Sequence, residues 1–269
     1  MKFKKRIGVI GCGNMGSVLV NGLIESGICP ASSIYVSDVS KKKLKSIRKT
    51  GVRVVDNNRL AKSADVIILA VKPASVGEAI SGIGEYLNPS KVLISIAAGI
   101  PTSRIEKFIG KKAVPVIRVM PNVNAKVKAG ILAYCPGKYA AGYGKLVEKL
   151  FAPLGMVFRL PEKMFDSVTA IAGSGPGFVF YIAENVKKIC RKKGFTEKQS
   201  ALITAHLVFG SGRMLMETGL SPDILKTMVT SSGGTTFAGL SVFEKKKFPL
   251  ILKQVIEKAE KRSRELSGA

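Results

Sequence analysis

Near its N-terminus the chain reads KRIGVIGCGNMG over residues 5–16, an apolar run that breaks into closely spaced glycines. The run predicts a β-strand, and the apolar residues that follow at helical spacing predict a helix. Gly11, Gly13 and Gly16 have the spacing G-x-G-x-x-G, in which the first glycine permits a sharp turn. The second lets the backbone approach a pyrophosphate, and the third lets the helix pack on the strand. This stretch predicts dinucleotide binding, with a purely structural glycine turn as the alternative.

The composition is that of a globular protein. The chain has 269 residues, of which 46% are apolar and 23% charged, so extensive disorder is not expected. No apolar helix candidate reaches the ~20 residues that a membrane span needs, and no membrane partner is expected. The cysteines are far apart and form no C-x-x-C pair, so we expect no metal site, no disulfide framework and a reducing, cytoplasmic location. They are Cys12, Cys29, Cys135 and Cys190.

The net charge of +25 is the one unusual total, and it would favour polyanions as partners. The lysines occur in short runs, however, and no aromatic residues lie between them to stack on bases. We interpret them as a solvated surface, so nucleic acid is not expected as a partner. A nucleic-acid-associated role is the alternative.

The second predicted strand ends at Asp38, 22 positions after Gly16. In a Rossmann unit an acid at this place accepts hydrogen bonds from the ribose 2′-OH of NAD, whereas small polar and basic residues receive the 2′-phosphate of NADP. Ser37, Ser40 and the lysines at 41–43 surround Asp38, so the residues here leave both cofactors open.

Strands and helices then alternate to about residue 160, which predicts a doubly wound α/β sheet of Rossmann type over residues 1–160. From Pro161 onward only helical candidates remain, among them Pro176–Lys193 and Glu197–Thr218. Parts of these are apolar on nearly every face, more than one small domain can bury. We therefore predict an all-α domain over residues 161–269 that forms a homodimer.

Two glycine-rich turns interrupt the helical half, at residues 173–177 and 231–236. Each comes just before a helix and could present backbone N–H groups to an anion such as a carboxylate. An ordinary interhelical turn is the alternative. Because the second turn also carries several hydroxyl groups, we predict a ligand site there.

No conventional acid–base set is present. The single histidine, His206, lies among apolar residues in a helix, where a core or interface role is expected. Lys72 follows a strand and could donate a proton in a hydroxyacid dehydrogenase, although Lys72–Pro73 is equally a turn beside the cofactor. Reduction of a protonated C=N needs only a positioned hydride and a hydrogen-bond partner, so glycine turns with threonines favour an imine substrate.

These residues resemble the pyrroline-5-carboxylate reductases nearly end to end. The resemblance lies in the glycine turn and in Leu69–Pro73, Ala97–Gly99, Met120–Asn122, Val168–Pro176 and above all Pro222–Glu244. It implies reduction of 1-pyrroline-5-carboxylate to L-proline by hydride transfer from NAD(P)H, with NADP(H) favoured and NAD(H) still open. It also implies a homodimer formed through the helical domain, with a larger ring of dimers as a further expectation.

The resemblance also implies roles for individual residues. For the cofactor it implies Gly11, Gly13, Asn14, Met15, Gly16, Ser37, Asn57, Val71, Lys72, Pro73, Ala98 and Gly99. For the substrate carboxylate it implies Ser231, Gly234 and Thr235, and for the ring nitrogen the hydroxyl of Thr236, the expected catalytic residue. Two residues depart from the family pattern: Ser232 replaces a common proline, and Asp38 is unusual for an NADPH-preferring member. A β-hydroxyacid-type dehydrogenase and a catalytically silent relative are the alternative functions.

Overall fold

The computed structural model describes residues 5–267, which form two compact units. The first unit runs to Gly173 and includes the residues from Glu260 onward, and the second is Ser174–Ala259. The domain boundary expected after residue 160 stays a prediction; the compact units separate after Gly173.

The strands of the first unit are β1 (Ile7–Ile10), β2 (Ile34–Ser37), β3 (Arg53–Val54), β4 (Val66–Leu69), β5 (Val92–Ser95), β6 (Val116–Met120), β7 (Gly130–Pro136) and β8 (Gly155–Arg159). Its helices are α1 (Asn14–Glu25), α2 (Lys41–Arg48), α3 (Asn57–Ser63), α4 (Val76–Ile83), α5 (Thr102–Ile109), α6 (Gly144–Phe151) and α7 (Phe165–Val168). The second unit holds α8 (Gly175–Lys192), α9 (Glu197–Thr218), α10 (Pro222–Met228), α11 (Thr235–Lys245) and most of α12 (Phe248–Ser267).

Within residues 5–267 the sheet has eight strands in the order β3-β2-β1-β4-β5-β6-β7-β8. Strands β1 to β6 are parallel to one another, β7 is antiparallel to β6, and β8 pairs parallel with β7. From β1 the chain first adds β2 and β3 on one side of the sheet and then returns to add β4 on the other side. The point between β1 and β4 is therefore the switch point, where doubly wound folds bind ligands. The predicted Rossmann-type sheet is confirmed. Strand β8, whose residues are only partly buried at the sheet edge, was not predicted.

The central parallel strands β1, β2, β4, β5 and β6 are buried on both faces, because helices cover both sides of the sheet. In β1, Ile7 and Val9 pack with Leu19 of α1 in one core, while Ile10 packs with Leu60 of α3 in another. This alternation follows the two-residue period of a strand. Strands β1, β2, β4 and β5 are parallel, so their carboxyl ends lie on the same side of the sheet. The turns that follow these four strands therefore lie along one edge, the edge formed by the carboxyl ends.

The second unit is helical, as predicted. Helix α9 begins with a capping box, in which the Thr196 hydroxyl accepts from the Gln199 backbone N–H at 3.2 Å and the Gln199 side chain accepts from the Thr196 N–H at 2.9 Å. It ends at Gly219, whose φ of 65° suits a residue without Cβ. Helices α8 and α9 pack against each other.

The second unit exposes many large apolar side chains. Among the most exposed are Phe180, Tyr181, Leu207, Phe209, Met216, Met228, Val229, Phe237 and Val242. In α9, a helix of 22 residues, only Ser200 and Thr204 are buried in the single chain. Exposed apolar surface of this extent is typical of an interface.

Within the described range 5–267, no helix is long and apolar enough to span a lipid bilayer.

Candidate functional site

The glycine turn after β1 is shaped by contacts that exclude side chains. Gly11 has φ of 97°, and a Cβ there would lie 2.5 Å from the carbonyl oxygen of Ala70. A Cβ on Gly16 would collide with the carbonyl oxygen of Gly11, so helix α1 can approach the strand only because residue 16 is glycine. Gly11 donates its N–H to the Ser37 carbonyl at 2.8 Å. The turn is therefore held by both neighbouring strands.

Gly13 differs from these two glycines because the space beside it is open. Apart from the residues next to it in the chain, the only atom of the described residues within 4 Å of a Cβ built there is Nζ of Lys43, at 4.0 Å. Gly13 is also the N-cap of α1 and has no side chain to cap the first N–H groups of that helix. Asn14, Met15 and Gly16 form that first turn. The open cradle and the free N–H groups fit the pyrophosphate of a dinucleotide.

The end of β2 contributes a second group of predicted residues. Ser37 is 4% exposed and donates its hydroxyl to Oδ1 of Asn57 at 2.5 Å. Asn57 begins α3, whose N-cap Asp56 accepts from the Arg59 N–H at 2.8 Å. That backbone hydrogen bond lowers the pKa of Asp56. The pair of Ser37 and Asn57 thus joins the second strand to the start of α3, beside the glycine turn.

Asp38 is directed toward the protein backbone. Its Oδ2 accepts the Cys12 N–H at 2.6 Å, and its Oδ1 accepts the Ser40 N–H at 2.7 Å. The Asp38 side chain is 6% exposed, and Nζ of Lys43 lies 3.8 Å from Oδ2. Burial, followed by the charge of Asp38, raises the pKa of the Cys12 thiol. Asp38 therefore anchors the glycine turn, a role that the sequence did not indicate.

The ends of β4 and β5 carry the residues predicted for the nicotinamide side. Val71, Lys72 and Pro73 follow β4, and Lys72 is exposed at the start of a short 3₁₀ turn. Ala98 and Gly99 follow β5, and Gly99 has φ of 72°. Because β4 and β5 are adjacent parallel strands, these two turns are neighbours at the same edge as the glycine turn. The first unit thus brings the predicted cofactor residues together.

The predicted substrate residues form one turn of the second unit, between α10 and α11. Gly234 donates its N–H to the Ser231 carbonyl at 3.0 Å, and Gly233 has φ of 71°. Thr235 and Thr236 begin α11, whose N-cap Gly234 offers no side-chain cap. The turn is exposed or half-buried, and the free N–H groups at the helix start suit a carboxylate. His206, by contrast, is exposed on α9, so no core role is seen for it in the single chain.

One buried polar cluster was missed by the sequence interpretation. Glu162 accepts from the Thr102 N–H at 2.8 Å, the Thr102 hydroxyl at 2.6 Å and Nη1 of Arg118 at 3.2 Å. The Arg118 side chain is 6% exposed, and its guanidinium lies 4.5 Å from the centroid of the Phe165 ring. Beside it, burial and the charge of Glu162 raise the pKa of Cys135 to about 12. The signal available in the sequence was Arg118, a charged residue within the otherwise apolar strand β6.

Asn122 lies in a segment that carries the resemblance, but the sequence did not indicate its role. It is 3% exposed, accepts the Ile131 N–H at 3.1 Å and donates to the Ala172 carbonyl at 2.9 Å. Ala172 belongs to a π-helical segment, Thr169–Gly173, that ends at the first residue of the first glycine-rich turn. Asn122 therefore satisfies one of the carbonyls that an irregular helix leaves free.

Comparisons with known proteins agree with this arrangement. A family model described as "Pyrroline-5-carboxylate reductase dimerisation" matches residues 162–266. A second, described as "NADP oxidoreductase coenzyme F420-dependent", matches residues 6–99. The chain is 36% identical over 265 residues to the pyrroline-5-carboxylate reductase of Methanosarcina acetivorans, covering 97% of this chain and 98% of that protein.

Solved structures give the same result. A pyrroline-5-carboxylate reductase from Coxiella burnetii superposes with a TM-score of 0.92 at 33% identity, covering 98% of this chain and 99% of that one. The pyrroline carboxylate reductase of Plasmodium falciparum, with NADP bound, has a TM-score of 0.88 at 29% identity, covering 99% and 100%. The similarity therefore extends over both units.

Proposed function

The chain belongs to the pyrroline-5-carboxylate reductase family, and from this premise we propose how its residues carry out the reaction. The function is reduction of 1-pyrroline-5-carboxylate to L-proline with a nicotinamide cofactor. The observation that carries this conclusion is the similarity over both units, because the glycine turn after β1 alone is compatible with many nicotinamide-dependent reductases.

The first unit would hold the cofactor along the sheet edge. When bound, the nicotinamide supplies the hydride that the reaction consumes. The open cradle at Gly13 and the free N–H groups of Asn14 and Met15 would bind the pyrophosphate. The turns of Val71–Pro73 and Ala98–Gly99 would border the nicotinamide, and Asn57 the adenosine ribose.

NADPH is the cofactor that we propose the enzyme prefers. Both carboxylate oxygens of Asp38 already accept backbone hydrogen bonds, and the Asp38 side chain is nearly buried. Because so little of this carboxylate is exposed, we propose that it does not accept a hydrogen bond from the ribose 2′-hydroxyl that distinguishes NADH. Comparing kcat/KM for NADPH and NADH at fixed substrate tests the preference, and a higher value with NADH would contradict it.

The second unit would hold the substrate. Ser231, Gly234 at the start of α11, the N–H group of Thr235 and the positive end of that helix would bind the carboxylate. The hydroxyl of Thr236 would hydrogen-bond the ring nitrogen. These residues fix the orientation of the C=N bond, and we propose that positioning accounts for most of the rate, because the protonated imine is already activated.

Substitution of Thr236 tests this assignment. Thr236→Ala should lower kcat by about tenfold or more, the cost of one hydrogen bond to the reacting group, and leave the Kd of the cofactor unchanged. Thr227→Ala is the matched control, since that hydroxyl donates to the Asp223 carbonyl within α10. Equal turnover in the two variants would remove Thr236 from the mechanism.

An assay of the purified protein with pyrroline-5-carboxylate and either cofactor tests the reaction itself. Proline formation and nicotinamide oxidation in equal amounts are expected. The alternative is a β-hydroxyacid dehydrogenase, which interconverts a hydroxyacid and the corresponding carbonyl acid. Activity on such a hydroxyacid that Lys72→Ala abolished would replace this proposal with that alternative. Salt-sensitive binding of nucleic acid without reductase activity would favour the catalytically silent alternative.

A second copy of the chain is the partner that we propose for the exposed apolar surface of the second unit. The match to a dimerisation family over residues 162–266 supports this proposal, as does the exposure of Leu207 and Phe209 on α9. Light scattering should give twice the mass of the chain, or a multiple of the dimer if rings form. Leu207→Arg should shift the mass toward the single chain. A monomeric wild type would contradict the proposal.

We propose a cytoplasmic location, because a reducing compartment keeps thiols unpaired and the cysteines are free. They are Cys12, Cys29, Cys135 and Cys190. Cell fractionation tests it.

A further inference from the structure

The end of helix α12 lies against the turn that follows β5. From Glu260 onward α12 belongs to the first unit, although the helix begins in the second. A Cβ built on Gly99 would lie 3.5 Å from the Leu266 carbonyl oxygen and 3.6 Å from the Ser267 backbone nitrogen. Gly99 is half-buried, whereas its neighbour Ala98 is exposed. The backbone of the helix end therefore packs against Gly99 and leaves Ala98 accessible.

Two side-chain hydrogen bonds hold this helix end on α7. The Ser263 hydroxyl donates to Oδ1 of Asp166 at 2.7 Å, and the Ser167 hydroxyl donates to Oε1 of Glu260 at 3.0 Å. Ser263 is 7% exposed and is the only buried residue in the described part of α12. Adjacent residues of α7 thus bind residues at positions i and i+3 of α12, which lie on one face of that helix.

The face of α12 that docks here is polar. Ser267 continues the face formed by Glu260 and Ser263 and is half-buried. Leu266, the large apolar residue beside it, is 63% exposed. Apolar packing has no preferred direction, but a hydrogen bond constrains both distance and angle. The position of the helix end, and with it the backbone that touches Gly99, therefore depends on the two hydrogen bonds to α7.

From this arrangement we infer that residues Glu260–Ser267 of α12 position the Ala98–Gly99 turn for the nicotinamide, with Ser263 and Asp166 as positioning residues. The inference rests on the proposed nicotinamide site and adds to it a segment that the sequence did not connect with the cofactor. A turn held in one place presents a fixed surface to the nicotinamide ring, and hydride transfer requires that ring to be oriented toward the substrate. The competing explanation is that the two hydrogen bonds only stabilise the first unit.

A pair of ligands that differ in the nicotinamide tests this inference without turnover. NADPH and 2′-phospho-ADP-ribose share the adenosine, the pyrophosphate and the second ribose, and only NADPH carries the nicotinamide. Calorimetry measures both Kd values; if the wild type binds NADH more tightly, NADH and ADP-ribose replace them. The double variant Ser167→Ala with Ser263→Ala removes both hydrogen bonds between α7 and α12. We expect it to raise the Kd of the ligand with nicotinamide by about fivefold, equivalent to one hydrogen bond, and that of the other by less than about twofold.

Two further variants separate the position of the helix end from other effects. Asp166→Asn removes a charge but keeps an oxygen that can accept the Ser263 hydroxyl, so it should bind both ligands as the wild type does. Ser26→Ala with Thr50→Ala is the matched control, because each of these hydroxyls donates to a backbone carbonyl three residues earlier, near the ends of α1 and α2. This control should change neither Kd.

Each result decides the question. A loss confined to the ligand with nicotinamide, in the Ser167→Ala, Ser263→Ala variant but not in the other two, supports the inference. Equal losses for both ligands would mean that the first unit loosens as a whole, and unchanged Kd values with a lower stability in urea would leave the hydrogen bonds a purely structural role; either overturns the inference. A loss of the same size in Asp166→Asn would assign the effect to charge and would also overturn it. Failure of the wild type to bind either ligand would instead argue against the nicotinamide site itself.

Discussion

Removing the carboxylate of Glu162 should destabilise the first unit more than removing one partner of a surface ion pair does. Glu162 begins the segment that matches the dimerisation family, and it accepts hydrogen bonds from both donors of Thr102 and from Arg118. In Glu162→Ala all three bonds are lost, and the Arg118 guanidinium, 6% exposed, is left without its carboxylate. The neighbouring Cys135 thiol has its pKa raised to about 12 and is therefore neutral, so among the described residues of this cluster no other anion replaces the carboxylate.

The size of the effect follows from the burial of each group. Breaking a buried ion pair by removing one partner costs about 3–5 kcal/mol. The Glu162 side chain is 32% exposed, so water can solvate part of the space that it leaves, and we expect the lower end, about 3 kcal/mol. Arg118→Met should lower the free energy of unfolding by less, about 2 kcal/mol, because Glu162 keeps its hydrogen bonds from Thr102 and its contact with water.

Urea unfolding followed by circular dichroism measures these values, at one protein concentration because a dimer's stability depends on it. Glu25→Ala is the control: its partner Lys128 is 3.0 Å away and both side chains are more than half exposed, so little change is expected. The double variant Arg118→Met with Glu162→Ala should lose less than the sum of the single losses. A loss in Glu162→Ala no larger than in the control, or strict additivity, would refute this reasoning.

Three further predictions concern other buried polar groups. Thr204→Val should raise the free energy of unfolding by about 1 kcal/mol, because within residues 5–267 the buried Thr204 hydroxyl has no hydrogen-bond partner; an equal or lower value in urea unfolding would contradict this. Asn122→Ala should lower it by about 2–3 kcal/mol, since two buried backbone groups lose their partner; a loss under 0.5 kcal/mol would count against that role. Burial and the hydrogen bond to Glu148 raise the pKa of Tyr134 from 10 to about 12, so the unfolded state loses this proton first and stability falls over that pH range. The advantage of wild type over Tyr134→Phe should therefore shrink between pH 10 and pH 12, and a constant difference would disprove it.

The sequence by itself determined the features that depend on local spacing. The strand, glycines and helix of residues 7–25 followed from the period of apolar residues and from positions where only glycine fits. Helix α9 was predicted at Glu197–Thr218 and is found there, because a capping box and a glycine define its ends. Residues 201–216 of α9 are apolar on nearly every face, which also predicted that one chain alone would leave apolar side chains uncovered.

Only the tertiary structure decided the contacts between residues far apart in the chain. Asp38 was available to the ribose by sequence, but its carboxylate meets the N–H of Cys12, 26 residues earlier, and is thereby withdrawn. Arg118 and Glu162 are 44 residues apart, and no periodic pattern connects them. Local spacing fixes backbone conformation, whereas hydrogen-bond partners and burial depend on which strands and turns become neighbours.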